Sequence, residues 1–373
     1  MPSTASSVLS SKDEHIFSKE GLMSTHAGRD IMKQAMFKSK AYKQFQYYKE
    51  YSEDDISKFI ERFTTQLYDY IRNDKNPKDT LDEFVKEVGS EELSLEEDKI
   101  AVIKERLSDI NTLRDRVYRI INSNFVKMTL PVFTALLDGA DKYYSLNLSK
   151  EDKNDLIDGH IIAIDLSEPM DRIIDKDEDL EYLDDYRLMN PYILKIARDK
   201  IGKFGDQVLE TFENGFKDAR EGQYIDYIMK KNRKINYELM DVCYKKYRAI
   251  MGTAGKNMAL AREPLGEIFY YGMAKAGESV GCGNELEDSL KNKSIKIPSW
   301  PLYYLSLTDD IKEALDLTLR KSDLYLEEAK LALDMLPDRF DTKPFIEFLF
   351  LTVKHYNQYW YNKAVKDLDK FKL

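Results

Sequence analysis

The sequence predicts an all-α protein. Apolar residues recur at spacings of three and four along most of the chain, and no stretch alternates apolar and polar residues with a sustained period of two. The 373 residues, 43% of them hydrophobic, are enough to bury a large core. No extended Gly-, Pro- or Ser-rich linker is present, so we expect a single helical domain over residues 41–373, preceded by a disordered or irregular segment over residues 1–40.

In the first half of the chain, capping-box pairs mark the starts of three predicted helices, since each side chain of such a pair bonds a free backbone N–H group at the helix start. The pairs are Ser52 with Asp55, Ser94 with Glu97, and Ser149 with Asp152. The apolar faces that follow extend to Leu67, Ile121 and Ile164. Pro77 interrupts the pattern after the first of these helices, and the apolar segment from Lys127 to Tyr144 is a further helix candidate.

In the second half, Asn190-Pro191 punctuates a charged connection over residues 175–189. Two helices are expected after it, Ile193 to Lys230 and Tyr237 to Met258. The tail from Asp309 to Lys370 predicts two more helices, separated at Leu336-Pro337.

The stretch from Leu265 to Asn292 predicts a long helix whose apolar face gives way to oxygen-bearing residues. The face consists of Phe269, Met273, Ala276 and Val280 and then continues to Gly283 and Glu287. On the adjoining face, Asn284, Asp288 and Asn292 lie one turn apart. Carboxylate and amide oxygens that converge in this way suit Mg²⁺. A solvated helix end is the alternative interpretation.

A second acidic cluster, Ser167-Glu168-Pro169-Met170-Asp171, lies at the end of another apolar helix. If the two helices face each other, carboxylates meet across a groove, and like charges at that distance require divalent cations. Because the chain has 67 acidic residues, chance pairing is the alternative explanation.

Polar and basic residues follow in the next helices. Gly222-Gln223-x-x-Asp226 lies within a helical pattern, where a glycine costs about 1 kcal/mol relative to alanine and indicates close packing or ligand approach. A helix boundary between residues 190 and 230 is the alternative. Lys245, Lys246 and Arg248 form a basic group that suits a diphosphate or, alternatively, a solvated basic face. We interpret His160, which lies among aliphatic residues, as a core histidine. Trp360 with Tyr356 and Tyr359 predicts an aromatic stripe typical of core.

The charge balance argues against some partners. With 57 basic and 67 acidic residues the net charge is −10, which disfavours nucleic acid or an anionic membrane as the main partner. No apolar run approaches the roughly 20 residues of a membrane span. Cys243 and Cys282 fit a reducing compartment, so we expect a soluble protein of the cytoplasm, or of an organelle lumen or stroma after loss of a targeting segment. The sequence has no Walker loop, dinucleotide fingerprint, nucleophile elbow or HExxH motif.

Taken in order, these features resemble the all-trans prenyl diphosphate synthases and, more widely, the class I terpenoid synthase superfamily. That family has a DDxxD motif at the end of one helix, a GQxxD helix, a Lys-Thr pair, and a second DDxxD motif preceded by a run like yGxxxG. The corresponding segments here are Ser167-Glu168-x-x-Asp171, Gly222-Gln223-x-x-Asp226, Lys246-Tyr247, and Tyr271-Gly272-x-x-x-x-Gly277 leading to Glu287-Asp288-x-x-Lys291. The resemblance covers about residues 115–295 and lies in the arrangement of the motifs, none of which is intact.

Some departures concern the acceptor. In the family, a GKxxRP segment and an Arg-Arg pair bind isopentenyl diphosphate, the acceptor of chain elongation. Here Lys127 and Pro131 match that segment, but Leu130 occupies the arginine position and Arg172-Ile173-Ile174 contains no Arg-Arg pair.

Other departures from the prenyl synthase pattern resemble features of the terpene cyclases. Asn284, Asp288 and Asn292 keep the spacing of the cyclase metal triad, an Asn, then Ser or Thr four later, then Glu four later. The final helix, with Tyr359-Trp360, is similar to the helix that closes a cyclase pocket but lacks the terminal Arg-Tyr pair.

The resemblance implies a single large helical bundle of the class I terpenoid synthase type, which binds Mg²⁺ and an allylic prenyl diphosphate such as geranyl, farnesyl or geranylgeranyl diphosphate. The implied catalytic metal ligands are Glu168, Asp171, Asn284 and Asp288, with Glu287 and Asn292 as further metal ligands. The implied diphosphate-binding residues are Lys246, Arg248, Arg233, Gln223 and Lys127. Synthases of this kind are usually homodimers, and cyclase-like members often are not.

We therefore expect Mg²⁺-dependent ionisation of a prenyl diphosphate, followed by cyclisation or by prenyl transfer to a small-molecule acceptor other than isopentenyl diphosphate. Three alternatives stay open: a catalytically inactive partner subunit of a prenyl diphosphate synthase, a chain-elongating synthase, and an unrelated helical interaction protein.

Overall fold

The computed structural model describes residues 41–121, 124–174 and 182–371, with side chains for all of these except residues 41–55, 121, 124–128, 165–168, 348 and 351. The described backbone consists of helices and their connections, with no strand, so the predicted all-α class is confirmed. The segment over residues 1–40 lies outside the described residues. In the described ranges, no helix combines the length and the apolar character that crossing a membrane requires.

The described chain contains fourteen α-helices. The first seven are α1 Ala41–Asn73, α2 Pro77–Val88, α3 Glu97–Leu107, α4 Ile110–Ile121, α5 Asn124–Tyr144, α6 Lys150–Ile174 and α7 Leu183–Gly202. The other seven are α8 Asp206–Asn232, α9 Tyr237–Cys243, α10 Lys245–Met258, α11 Leu265–Asn292, α12 Trp300–Thr308, α13 Ile311–Asp334 and α14 Lys343–Lys366. Short 3₁₀ turns, Glu91–Leu93 and Leu368–Lys370, precede α3 and follow α14.

The chain divides into two compact units. The N-terminal unit comprises Lys49–Pro131 and Leu148–Leu209. The C-terminal unit comprises the described residues of Met1–Tyr48, Val132–Asn147 and Glu210–Leu373. The expectation of a single domain over residues 41–373 stays a prediction.

The N-terminal unit buries an aliphatic core in which the charged groups are paired. Asp158 of α6 is buried, and its carboxylate accepts from Arg62 of α1 at 2.9 Å. Lys200 of α7 lies 3.7 Å from the same carboxylate. His160 is 2% exposed, and burial lowers its pKa to about 3, so the imidazole is neutral at physiological pH. The interpretation of His160 as a core histidine is therefore confirmed.

The C-terminal unit is organised around α11, which packs against α10, α13 and α14. The helix spans Leu265–Asn292, as predicted. Phe269, Met273 and Ala276 of its predicted apolar face are buried, and Val280 is half-buried. The oxygen-bearing residues follow on the last turns of this central helix.

Two predicted helix starts in the N-terminal unit are wrong. α1 begins at Ala41, because the Ala, Lys, Gln and Glu residues before Ser52 themselves favour helix. The capping pattern at Ser52 therefore lies inside a helix and does not mark its start. α3 begins at Glu97, since the Ser94 hydroxyl instead donates to the Glu91 carbonyl at 2.7 Å in the preceding 3₁₀ turn. The predicted helix to Ile121 is also divided, at Ser108-Asp109.

By contrast, the capping box at Ser149 is confirmed. The Asp152 N–H donates to Ser149 Oγ at 3.0 Å, and the Ser149 N–H donates to Asp152 Oδ2 at 3.1 Å. The two helices predicted in the tail are present as α13 and α14.

The predicted boundary at Asn190-Pro191 is wrong, because both residues lie inside α7. A proline within a helix removes one backbone hydrogen bond, but α7 is buried along most of its length, and that packing maintains the helix. The boundary instead lies at Gly205, whose φ of 104° is in the left-handed region, so the predicted Ile193 to Lys230 helix is two helices. The predicted Tyr237 to Met258 helix is likewise interrupted at Tyr244.

Candidate functional site

The oxygen-bearing residues of α11 differ in exposure. Asn284 is half-buried, whereas Asp288 and Asn292, one and two turns later, are exposed. The Glu287 side chain is only 4% exposed. Asn284, Asp288 and Asn292 therefore form a row along one face of the helix, as the spacing of four requires, while Glu287 is turned into the protein.

Two residues hold the buried Glu287 carboxylate. The Tyr356 hydroxyl of α14 donates to Glu287 Oε2 at 2.8 Å, and Lys291 Nζ lies 2.6 Å from Oε1. The Tyr356 oxygen also lies 3.1 Å from the Asn284 side-chain amide. Burial and the neighbouring Glu287 carboxylate raise the pKa of Tyr356, so the hydroxyl keeps its proton and acts as the donor. Tyr356 and Glu287 are 69 residues apart, and no local sequence pattern indicates this contact.

α14 approaches α11 closely at Gly283. A Cβ atom on Gly283 would lie 2.0 Å from Asn357 Oδ1 and 2.9 Å from Tyr356 Cε1. Asn357 is wholly buried, and its Nδ2 donates to the carbonyl and hydroxyl oxygens of Ser279 at 3.1 and 2.9 Å. The consecutive residues Tyr356 and Asn357 therefore fasten α14 to the end of α11 that carries the oxygen-bearing row.

Glu285 is a candidate residue that the sequence analysis did not select. Its Oε2 accepts from the backbone N–H of Trp300 at 3.0 Å. The carboxyl is enclosed by protein, and this burial raises its pKa to about 8, so at neutral pH the folded protein holds it largely protonated. One signal was available: Asn284, Glu285 and Asp288 occupy the first, second and fifth positions of a DDxxD pattern.

A second polar group joins α8 to α10. Lys246 Nζ lies 2.6 Å from Asp226 Oδ2 and donates to Gln223 Oε1 at 3.3 Å. Lys230 Nζ lies 3.3 Å from the same Asp226 oxygen. Burial alone would raise the pKa of Asp226, but the two ammonium groups lower it below its usual value. Lys246 and Lys230 therefore place two ammonium groups beside one buried carboxylate.

Gly222 has a packing role within α8. A Cβ atom there would lie 2.6 Å from the backbone nitrogen of Lys246 and 2.8 Å from the carbonyl oxygen of Cys243. The helix continues through Gly222, and the alternative, a helix boundary between residues 190 and 230, is met by the break between Gly202 and Asp206. The close approach brings Gln223 and Asp226 within reach of Lys246.

Arg248 and Arg233, both predicted diphosphate ligands, are placed differently. Arg248 donates to the buried Glu278 carboxylate from Nε at 2.9 Å and from Nη2 at 2.6 Å, and Nη2 also lies 3.1 Å from Asp241. Arg233 is exposed after the end of α8, with a left-handed φ of 50°. Their binding to diphosphate stays a prediction, and Arg248 already has carboxylate partners.

The remaining predicted site residues belong to the N-terminal unit. Asp171 is half-buried on α6, whereas the side chains of Glu168 and Lys127 lie outside the described residues. Leu130, which occupies the arginine position of the GKxxRP pattern, and Ile173, in the segment that contains no Arg-Arg pair, are core residues with exposures of 5% and 1%. The expectation that the two acidic clusters face each other stays a prediction.

The donor chemistry of α11 fits Mg²⁺ in a limited way. Among the residues with described side chains, no group of three His, Cys, Asp or Glu residues is placed to hold a metal ion. Magnesium, however, commonly uses only one or two protein carboxylates and completes its shell with water and phosphate oxygens. The exposed Asp288 carboxylate and the Asn284 amide oxygen therefore suit an ion that arrives with a diphosphate, rather than one that the protein holds alone.

The aromatic stripe of α14 is partly core. Trp360 packs against a cluster that includes Leu286 and Leu315, and its ring contacts those of Tyr356 and Tyr359 at centroid distances of 6.2 and 5.0 Å. The stripe therefore helps to pack α14 against α11.

Comparisons with known proteins identify the fold. No protein-family model matches the sequence, and no curated protein matches it. Among solved structures, the chain is similar to a geranyltranstransferase from Methanosarcina mazei, with a TM-score of 0.50 and 16% sequence identity over 75% of this chain and 99% of that one. At this identity the similarity concerns the fold. The predicted fold type is thereby confirmed: the chain has the all-α fold of a prenyl synthase.

Proposed function

We propose that the protein binds an allylic prenyl diphosphate together with Mg²⁺ and ionises it, then either cyclises the prenyl group or transfers it to a small-molecule acceptor. The observation that carries this proposal is the fold, which spans nearly the full length of a geranyltranstransferase. The order of the polar motifs along the sequence supports the same chemistry.

In the proposed reaction the bond between the allylic carbon and the diphosphate oxygen breaks, and the diphosphate leaves with the electron pair. Magnesium, when bound, supplies positive charge that neutralises this leaving group. Lys246, which the sequence pattern assigns to diphosphate binding, would donate from its ammonium group to the departing diphosphate. Asn284 and Asp288 supply protein oxygens on α11 to the same ion. The allylic cation is then attacked by an internal double bond, which leaves a new carbocation that loses a proton to give an alkene, or by a nucleophile that loses its proton afterwards.

The residues at the acceptor positions favour this reaction over chain elongation. Leu130 occupies the arginine position of the GKxxRP pattern, Arg172-Ile173-Ile174 contains no Arg-Arg pair, and both Leu130 and Ile173 are buried. A buried aliphatic side chain has no donor for a diphosphate. We therefore propose an acceptor other than isopentenyl diphosphate.

A second candidate function is a catalytically inactive subunit that partners an active prenyl diphosphate synthase. One observation favours it: among the described side chains, no three acidic, His or Cys residues are placed to hold a metal ion. In this case the chain would bind the active synthase and would not itself catalyse a reaction.

The test is pyrophosphate release from geranyl, farnesyl and geranylgeranyl diphosphates, measured with and without Mg²⁺ and with candidate small nucleophiles added. We expect release that requires Mg²⁺ and that falls by at least about 100-fold in Asp288→Ala, because a charge-neutralising oxygen ligand is removed. Mass spectrometry of the organic product then distinguishes a cyclase from a transferase.

The matched control is Glu327→Ala, which removes an exposed carboxylate from the surface of α13 and should release pyrophosphate at the wild-type rate. Absence of release from all three substrates, with the wild-type protein folded, would refute the enzymatic proposal. Copurification with an active synthase would then support the subunit function.

A further inference from the structure

The Tyr356 hydroxyl lies between two oxygen-bearing side chains of α11. Its oxygen is 2.8 Å from Glu287 Oε2 and 3.1 Å from the Asn284 side-chain atom that is placed as Oδ1. Both distances are within hydrogen-bonding range. Tyr356 is a half-buried residue on α14, and Asn357 fixes that helix in place through its hydrogen bond to Ser279.

A hydroxyl group has one proton, so Tyr356 donates to only one of its two neighbours. The proton goes to Glu287, because a carboxylate is the stronger acceptor and makes the shorter bond. The amide of Asn284 must then face the Tyr356 oxygen with a donor, which is Nδ2. Since the oxygen and nitrogen of an amide are assigned from such networks, this arrangement exchanges the two atoms of Asn284 and turns Oδ1 away from Tyr356.

We propose that Tyr356 is a positioning residue that selects the amide orientation of Asn284 and so presents its Oδ1 as a ligand for Mg²⁺–diphosphate. The same hydroxyl, with Lys291, holds Glu287 apart from the ligand set. This inference rests on the proposed function, since it concerns the same oxygen row on α11. It assigns a role to Tyr356, which lies on α14 and outside the row of Asn284, Asp288 and Asn292.

The test is calorimetric titration of inorganic pyrophosphate into the full-length protein at saturating Mg²⁺. Tyr356→Phe keeps the ring and removes the hydroxyl, so the Asn284 amide loses its orienting partner. We expect the affinity to fall about 10-fold, as it does when outer partners of metal ligands are removed. Tyr361→Phe is the matched control, because Tyr361 also lies on α14 and donates to a carboxylate, that of Asp316 on α13.

A double-mutant cycle separates orientation from a general loosening of α14. In an Asn284→Asp background both side-chain atoms are oxygens, so no orientation needs to be selected. We expect Tyr356→Phe to change the affinity less than about 2-fold in that background. Loosening of α14 would weaken binding equally in both backgrounds.

The outcomes distinguish this inference from the proposed function. No Mg²⁺-dependent binding of pyrophosphate by the wild-type protein would overturn both. Binding by the wild type that Tyr356→Phe leaves unchanged or strengthens would overturn the positioning role alone, and so would an equal loss in the two backgrounds. A loss confined to the Asn284 background, with Tyr361→Phe unaffected, would support it.

Discussion

The Glu278 carboxylate of α11 is wholly buried and lies between two cations. Arg248 donates to Oε1 from two nitrogens, and Lys275 Nζ lies 3.0 Å from Oε2. Removing one partner of a buried ion pair leaves a desolvated charge without compensation. Arg248 is therefore expected to stabilise the packing of α10 on α11, whatever it contributes to a ligand.

Replacing Arg248 with Met should lower the free energy of unfolding by about 3 kcal/mol, near the low end for breaking a buried pair because Lys275 remains beside Glu278. Urea unfolding followed by circular dichroism measures this change. The control is Lys245→Met, since the Lys245 ion pair with Glu221 is partly exposed on both sides and its loss should cost less than about 0.5 kcal/mol. Equal effects of the two substitutions would contradict a structural role of Arg248.

His160 should make stability depend on pH. Burial lowers its pKa to about 3 in the folded protein, against an ordinary value of 6.5. Between these values the unfolded chain binds a proton that the folded chain does not, so stability is lost as the pH falls below 6.5. Relative to His160→Gln, the wild type should lose about 1.4 kcal/mol per pH unit between pH 6 and pH 4.5.

The measurement is urea unfolding of both proteins over that pH range. Carboxylates titrate there too, but their contribution is common to the two proteins and cancels in the difference. Parallel stability curves would show that His160 takes up its proton in the folded state.

At the scale of the helices, sequence patterns correctly predicted those features that depend only on neighbouring residues. The apolar face of α11 and the reciprocal bonds of Ser149 and Asp152 depend on residues within one or two turns, and both predictions are confirmed. The boundary at Asn190-Pro191 failed because burial of α7 by distant residues outweighs the local cost of a proline. The nine-residue helix α12 was not predicted, since it is apolar around its surface and has no periodic face.

The close contact of α14 with α11 requires a glycine at position 283. At Gly283 an added Cβ would lie 2.0 Å from Asn357 Oδ1, a buried atom that has little room to move. Gly283→Ala should therefore lower the free energy of unfolding by about 2 kcal/mol, as overpacking of a core does. Chemical unfolding of the variant measures the loss.

Gly272 supplies the matched control on the same helix. An added Cβ there would first meet Ala332 Cβ at 3.6 Å, an ordinary contact distance. Gly272→Ala should be neutral or stabilising by up to about 1 kcal/mol, because alanine favours helix. If Gly283→Ala is equally well tolerated, α14 does not pack on α11 as closely as the structure indicates.

At the scale of the whole molecule, the fold was more predictable than the site. A fold survives at 16% identity because any residues of suitable size and polarity maintain its helix faces. The site depends on single atoms: the row Asn284, Asp288 and Asn292 follows from helical spacing, whereas the partner of Glu287 lies 69 residues away on another helix. Contacts of that kind require the tertiary structure, so Tyr356 was not selected as a site residue from the sequence.

The proposed acceptor specificity rests on two core residues of the N-terminal unit. Leu130 and Ile173 are 5% and 1% exposed, and neither has a hydrogen-bond donor on its side chain. Isopentenyl diphosphate carries a diphosphate of its own, which the resemblance assigns to an arginine at position 130 and to an Arg-Arg pair that Arg172-Ile173-Ile174 does not contain. We expect that adding isopentenyl diphosphate will neither increase pyrophosphate release from an allylic diphosphate nor lengthen the prenyl chain, as mass spectrometry of the products will show. A product longer by one isoprene unit would assign the protein to chain elongation and would require other cations to bind the acceptor.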